Sequence, residues 1–122
     1  MIAPGGKVLV LEDEMLIAML IEDMLMDLGF AVVGPVASVE KAMSMAREEN
    51  LQWAILDVNV SNALSFPVAD ILRERRIPFI FATGYGSHGL DHRFKDAVVL
   101  QKPFMQAEFE RAISQMLHND RQ

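Results

Sequence analysis

The sequence predicts an α/β fold, a three-layer αβα sandwich around a five-stranded parallel sheet. Two observations lead there. Short apolar runs alternate with longer stretches of helical period along the whole chain, the signature of repeated βαβ units. Four of those runs also end in groups able to handle a phosphoryl group or a cation: Glu12 with Asp13, then Asp57, Thr83 and Lys102. In open α/β sheets ligands bind beyond the carboxyl ends of the strands, so a set delivered at successive strand ends belongs to one pocket.

The first apolar run, Val8 to Leu11, is continuous, as a strand covered on both faces requires. A helix follows from about Glu14 to Leu28, with Ile17, Leu20, Ile21, Met24 and Leu28 at core spacing and Gly29 as its stop. Ala31 to Val36 makes a second strand, and Gly34 and Pro35 within it suit a sheet edge. Ser38 caps a helix reaching about Glu49, with Glu40 and Glu48 exposed near its ends. Trp53 to Val58 is the third strand, and Ser65 with Pro67 in the first turn opens a helix that runs to about Arg75. Pro78 to Ala82 and Ala97 to Leu100 are the fourth and fifth strands. Phe104 to about Leu117 forms the closing helix, with Phe109, Ala112, Ile113, Met116 and Leu117 facing inward. Between the last two strands, Gly84 to Lys95 carries three glycines, two histidines and only Leu90 and Phe94 as spaced apolar anchors. Any fifth helix there is expected to be short and loosely held, and the segment to be the most mobile of the fold. The second strand adds nothing to the strand-end set, which fits a strand order 2-1-3-4-5 that leaves it outside the site.

With 122 residues, 52% apolar and 23% charged, the chain reads as one globular domain, 1–122, with its core between 7 and 117. The absence of cysteine excludes disulfides and thiolate metal sites. A formal net charge of −6 argues against a nucleic-acid surface, because phosphate backbones call for clustered Lys and Arg. The one basic cluster, Arg73, Arg75 and Arg76, reads as the solvated end of a helix, where cations complement the dipole. His88 and His92 lack an evident third partner for a metal, and His118 falls at the end of the closing helix. No apolar stretch approaches membrane-spanning length, and acids interrupt the run after Lys7 too early for a signal peptide, so a soluble cytoplasmic protein is expected.

Residue type then sets the chemistry. Glu12, Asp13 and Asp57 converge as like charges, which raises at least one pKa unless a cation lies among them. Oxygen-only ligands of this kind suit Mg²⁺. With the metal in place Asp57 can attack an incoming phosphoryl group, while Mg²⁺ and Lys102 hold the charge on the transferring oxygens. Thr83 can donate its hydroxyl to the new phosphate, and Gly84 leaves room for close backbone approach. Taken singly, each residue has a plainer role. Glu12 and Asp13 are common acids for a helix start, Asp57 for a strand-end turn, Thr83 for a strand and Lys102 with Pro103 for a loop. The set as a whole carries the reading.

On these residues the chain resembles the receiver domain of two-component response regulators, a flavodoxin-like sandwich, from Lys7 to about Leu117. The resemblance implies metal-binding acids in Glu12 and Asp13, a phosphoacceptor in Asp57 and a switch hydroxyl in Thr83. It also implies a metal ligand in the backbone carbonyl of Asn59, and in Lys102 with Pro103 a pair whose peptide bond is typically cis. The run Phe81-Ala82-Thr83-Gly84-Tyr85-Gly86 is similar to that of the FAT GUY receivers, often stand-alone and partnered with kinases of the HWE or related type. Two positions depart from the family pattern. Glu12 stands where many receivers have Asp, and Val99 where most carry a Tyr or Phe that follows the switch hydroxyl. The expected substitute is reordering of Gly84 to Lys95, with Tyr85 as its nearby aromatic. Met15, Met19 and Met26 share a face of the first helix with Glu22, and in receivers a partner's phosphohistidine domain docks on this helix.

The function expected is that of a stand-alone phosphorelay module. It takes a phosphoryl group from a sensor histidine kinase or phosphotransfer protein onto Asp57 with Mg²⁺, changes conformation to signal to a protein partner, and loses phosphate by hydrolysis. Self-phosphorylation and self-dephosphorylation are its only expected chemistry, with no nucleic-acid or membrane partner and a monomeric or weakly dimeric state. One alternative is a Mg²⁺-dependent phosphohydrolase with an aspartyl intermediate, disfavoured because Asn59 stands where such sites place a second acid. The other is a phosphate sink or relay intermediate.

Overall fold

The computed structural model describes residues 5–84 and 90–120. In chain order the elements are β1 (Lys7–Leu11), α1 (Met15–Asp27), β2 (Ala31–Val36), α2 (Val39–Glu48), β3 (Trp53–Asp57), β4 (Asn59–Val60), β5 (Ala63–Leu64), α3 (Phe66–Glu74), β6 (Phe79–Thr83), a 3-10 turn (His92–Phe94), β7 (Val98–Gln101) and α4 (Gln106–Asp120). Five strands form one parallel sheet in the order β2-β1-β3-β6-β7, while β4 and β5 pair antiparallel as a separate hairpin. With the hairpin set aside, the long strands stand 2-1-3-4-5 in chain order, and β2 is an edge as Gly34 and Pro35 foreshadow. Its pairing with β1 is irregular between Leu9 and Leu11, where Gly34 takes a φ of 101°. A Cβ there would lie 2.7 Å from the Val36 nitrogen, so only glycine lets the chain pass this closely.

The two faces of the sheet carry separate cores. Val8, Val10, Trp53, Ile55 and Ile80 pack with Ile21 and Leu25 of α1 and Phe109 and Ile113 of α4. Leu9, Leu11, Leu56 and Phe81 pack with Ala42 and Ala46 of α2 and Val68 and Leu72 of α3. Side chains alternate along a strand. Two residues beyond Val10, Ile55 and Leu100 come Glu12, Asp57 and Lys102, so all three fall toward the α1/α4 side. Register brings Glu12 level with Asp57, since Leu11 pairs with Leu56. Asp57 pairs with Ala82 and Ala82 with Leu100, so Lys102 starts two residues further on and its long side chain reaches back to both acids.

Several boundaries differ from the sequence reading, each for a local reason. The buried residues of α1 are Ala18, Ile21, Met24 and Leu25, whereas Leu20 is 44% exposed. Leu20 lies one residue, about 100° of helix, before Ile21 and so turns off the buried stripe. The closing helix starts at Gln106 and not at Phe104. The Met105 N–H donates to Glu108 Oε1 at 2.9 Å, the back-bond of a capping box, and Phe104 instead stacks on Phe109 with ring centroids 5.7 Å apart. Ser38 caps α2 through a 3.1 Å bond from the Lys41 N–H, while Ser65 occupies the N-cap of α3 without such a bond.

The segment after β6 holds a single 3-10 turn among the described residues, not a fifth α-helix, and its far end is not loosely held. Phe94 is fully buried, stacked on Phe66 at 5.5 Å and edge-on to Phe79 and Phe81. The guanidinium groups of Arg73 and Arg93 lie 4.5 and 4.8 Å from the Phe94 ring centre. Arg93 also grips Asp70 of α3 with two bonds, Nε to Oδ1 at 3.1 Å and Nη2 to Oδ2 at 2.9 Å. Arg75 Nη1 donates to the carbonyls of Ala46 and Glu49 at 2.6 and 2.8 Å, tying α3 to α2. The basic cluster is thus partly a set of clamps and not only a solvated helix end. No helix among the described residues is long and apolar enough to cross a membrane.

Replacing Phe94 by Ala empties the centre of this aromatic cluster and should lower stability by about 3–5 kcal/mol. Urea unfolding followed through the buried Trp53, the single tryptophan, measures it. A loss below about 1 kcal/mol would mean that the segment is not anchored through this ring.

Candidate functional site

Four strands end at one cleft. Glu12 follows β1 and Asp57 closes β3, both buried, while Asp13 stays exposed. Thr83 closes β6 and is buried, and Lys102 comes one residue after β7. The cleft they define has a volume of about 770 Å³. Asp13, Asp57, Asn59, Thr83, Gly84, Lys102 and Pro103 line one part, and Ile17, Leu20, Leu64 and Phe104 form an apolar wall. The Lys102–Pro103 peptide bond is cis.

The Lys102 ammonium sits between two carboxylates. Its Nζ donates to Glu12 Oε1 at 2.7 Å and to Asp57 Oδ2 at 3.1 Å. The second Glu12 oxygen accepts the Glu14 N–H at 3.1 Å, so both oxygens of this buried acid are engaged. Backbone pairing positions the ammonium, because the Lys102 N–H donates to the Thr83 carbonyl at 2.9 Å and extends the β6–β7 ladder by one residue. Burial pushes the Glu12 carboxyl above its usual range, and the bonds from Lys102 and the Glu14 amide offset this only in part. Burial acts to lower the Lys102 pKa, but Glu12 and Asp57 outweigh it and hold the ammonium above its usual value.

Donor oxygens of Glu12, Asp13 and Asp57 all lie within 4.8 Å of one another. Fully ionised, the three carboxylates and one ammonium carry a net charge of −2, which suits a divalent cation. The donors are all oxygens, which selects a hard ion such as Mg²⁺ over zinc or copper. This is the only such acid, His or Cys grouping among the described residues, and it includes no histidine. His92 is exposed in the 3-10 turn, and His88 lies outside the described residues.

The remaining candidates are dispersed around this centre. Asn59 opens β4, exposed, two residues after Asp57, and Gly84 follows Thr83 at the cleft edge. Val99 is half-buried in β7 on the α2/α3 side. Tyr85 lies outside the described residues. The sequence reading assigned nothing to Ser61, yet its N–H donates to Asp13 Oδ2 at 2.9 Å from the tip of the β4–β5 hairpin. A two-residue polar turn, Ser61-Asn62, between Val60 and Ala63 was the available signal.

The model of the response regulator receiver domain matches residues 8–114. The chain therefore belongs to the receiver domains of two-component signalling, modules that accept a phosphoryl group on an aspartate and bind Mg²⁺ in an acidic site. It is 34% identical over 115 residues to the phyllosphere-induced regulator PhyR of Methylorubrum extorquens, a match that covers 91% of this chain and 43% of that protein. The chain spans about half the length of the curated relatives it matches. The solution structure of SdrG from Sphingomonas melonis Fr1 is 41% identical, with a TM-score of 0.85 over 95% of this chain and 99% of that one. The receiver domain of the sensor histidine kinase PA1611 from Pseudomonas aeruginosa PAO1, described with magnesium coordinated in its active site cleft, shares the fold. Its TM-score is 0.78 at 24% identity, over 93% and 98% of the two chains.

Lys102→Met should cost the metal-free protein about 3 kcal/mol, because it leaves two neighbouring carboxylates without their cation. Lys102→Arg should recover part of that loss. Denaturant unfolding in the presence of a chelator reads both, and an unchanged midpoint for Lys102→Met would show that the ammonium does not hold the acids together.

Proposed function

We propose that this chain accepts a phosphoryl group from a histidine kinase on Asp57, in a Mg²⁺-dependent reaction, and passes the signal to a protein partner in the cytoplasm. The observation that carries the reading is Asp57 at the end of β3, 3.1 Å from the Lys102 ammonium and within 4.8 Å of two further carboxylates. One Asp57 oxygen attacks phosphorus as the bond to the donor imidazole nitrogen breaks, and the imidazole leaves with its electron pair. Lys102 is placed to follow the negative charge onto the transferred oxygens, and Thr83 to donate its hydroxyl to one of them. Glu12, Asp13, Asp57 and the Asn59 carbonyl would hold the cation. When bound, Mg²⁺ supplies charge neutralisation for the phosphoryl oxygens. Hydrolysis of the acyl phosphate returns Asp57 to its starting state.

The phosphohydrolase alternative has less support, since Asn59 offers no carboxyl group to protonate a leaving alcohol. Intact-mass spectrometry after treatment with a small phosphodonor decides between the readings. One phosphoryl addition is expected with Mg²⁺, none after chelation and none in Asp57→Ala. Persistent phosphorylation of the Ala variant would overturn the assignment, and multiple turnover of phosphate esters would favour the hydrolase.

Exposed apolar side chains support α1 as the helix on which the kinase docks. Met15 and Leu16 are 76% and 82% exposed, Met19 and Leu20 join them near the cleft end of α1, and Met26 is exposed further along the helix. Flexible apolar side chains in this position suit a helical phosphohistidine domain, and the FAT GUY-like run supports a kinase of the HWE type. Met19→Glu should slow transfer from the kinase at least tenfold while leaving a small phosphodonor unaffected. Equal loss with both donors would argue for misfolding in place of docking.

Signalling onward is assigned to the segment that follows Thr83. Phe94 and Arg93 anchor its far end to α3, and Val99 provides no aromatic ring to rotate. Phosphorylation should therefore alter amide shifts within residues 84–95, and shifts confined to other regions would contradict this route.

A further inference from the structure

The β4–β5 hairpin makes a contact that the phosphoryl-acceptor reading leaves unexplained. Directly after Asp57 and Val58 the chain forms β4, turns at Ser61 and Asn62, and returns through β5. Both turn residues are left-handed, with φ of 50° and 66°. Paired positive φ values give a two-residue turn whose twist matches its strands. Asparagine accepts this conformation readily, whereas serine gains less from it, so local propensity alone is a weak reason for the turn.

The hairpin is fastened at both ends. At its root Val58 and Val60 are buried in the α2/α3-side core, and the Ser65 N–H donates to the Val58 carbonyl at 2.9 Å. At its tip the Ser61 N–H donates to Asp13 Oδ2 at 2.9 Å, across 48 residues of sequence. An exposed aspartate without such a bond samples several side-chain rotamers, and capture of a cation must remove that freedom. Here one oxygen is already held, by an amide whose own position is set by a buried root.

We infer that Ser61 is a positioning residue for Asp13, acting through its backbone N–H to pre-order one carboxylate of the cation site. The inference rests on the reading of the cleft as a Mg²⁺ site. The hairpin joins the end of β1 to the loop that leaves Asp57, so the exposed acid and the phosphoacceptor are held by one short, rooted turn. The side chain of Ser61 has no part in this. Ser61→Gly keeps the donor and suits the positive φ, and it should bind Mg²⁺ as the unaltered protein does. Ser61→Pro removes the N–H and fixes φ near −65°, and it should weaken Mg²⁺ binding about tenfold.

Two measurements on the full chain test it. In metal-free protein, amide hydrogen exchange at Ser61 should be slower than at Asn62, and Asp13→Ala should abolish that protection while strand amides such as Ile55 keep theirs. Equal exchange at Ser61 with and without the Asp13 carboxylate would overturn the inference, and this arm needs no turn variant. Mg²⁺ titration followed by amide shifts, at a temperature where every variant is folded, should then rank the unaltered protein and Ser61→Gly together, with Ser61→Pro about tenfold weaker. Equal affinity in all three would remove the positioning role and leave the Mg²⁺ site standing. Absence of Mg²⁺ binding in the unaltered protein would instead remove the site reading itself, and the inference with it.

Discussion

The Lys102 ammonium between Glu12 and Asp57 is the interaction on which the rest of the site depends. Three carboxylates gathered at the ends of parallel strands repel one another, and burial of Glu12 and Asp57 sharpens the repulsion by removing water. A single cation from β7 makes the grouping tolerable without neutralising it. The residual charge is what a divalent ion would answer, so the same arrangement that holds the acids together also suits the cleft to a metal. Sheet register makes this possible. Lys102 can reach both acids because β7 pairs with β6, β6 with β3 and β3 with β1, so that Glu12 and Asp57 stand level and Lys102, of the same alternation parity two residues beyond them, extends its long side chain back to both.

Around this centre the molecule divides its labour by face. On the α1/α4 side, apolar packing ends at the cleft and continues outward as exposed Met15, Leu16, Met19 and Leu20. A chain of net negative charge thus presents a group of exposed apolar side chains next to its cluster of three acids. On the α2/α3 side, Phe66, Phe79, Phe81 and Phe94 form an aromatic cluster clasped from above by Arg73 and Arg93. Phe81 and Thr83 belong to the same strand, so the hydroxyl at the cleft and the aromatic cluster are mechanically continuous through two residues of β6.

Much of this was legible in the sequence. Periodicity located all five long strands and four helices, because uninterrupted runs such as Val8 to Leu11 and Trp53 to Leu56 admit few other readings. The strand-end residues stood out because Glu12, Asp57 and Lys102 are polar groups at the edge of otherwise apolar runs. The failures share a cause. Leu20 matched the helical period as well as Leu25 did, and only the packing of α1 on the sheet decides which is buried. The grip of Arg93 on Asp70 and the bond from Ser61 to Asp13 connect residues 23 and 48 positions apart, and nothing local announces either. The hairpin was short enough to pass for loop, its turn made of Ser61 and Asn62 where the strongest hairpin turns use Asn-Gly or Asp-Gly.

The central claim is that one ammonium couples the acids of β1 and β3, and a double-mutant cycle in metal-free protein measures it most directly. Glu12→Gln, Lys102→Met and the double variant, compared by urea unfolding, should give a coupling energy of about 1.5 kcal/mol or more. A coupling near zero would contradict the account, since Glu12 and Lys102 would then contribute independently and the order of the site would have to come from elsewhere.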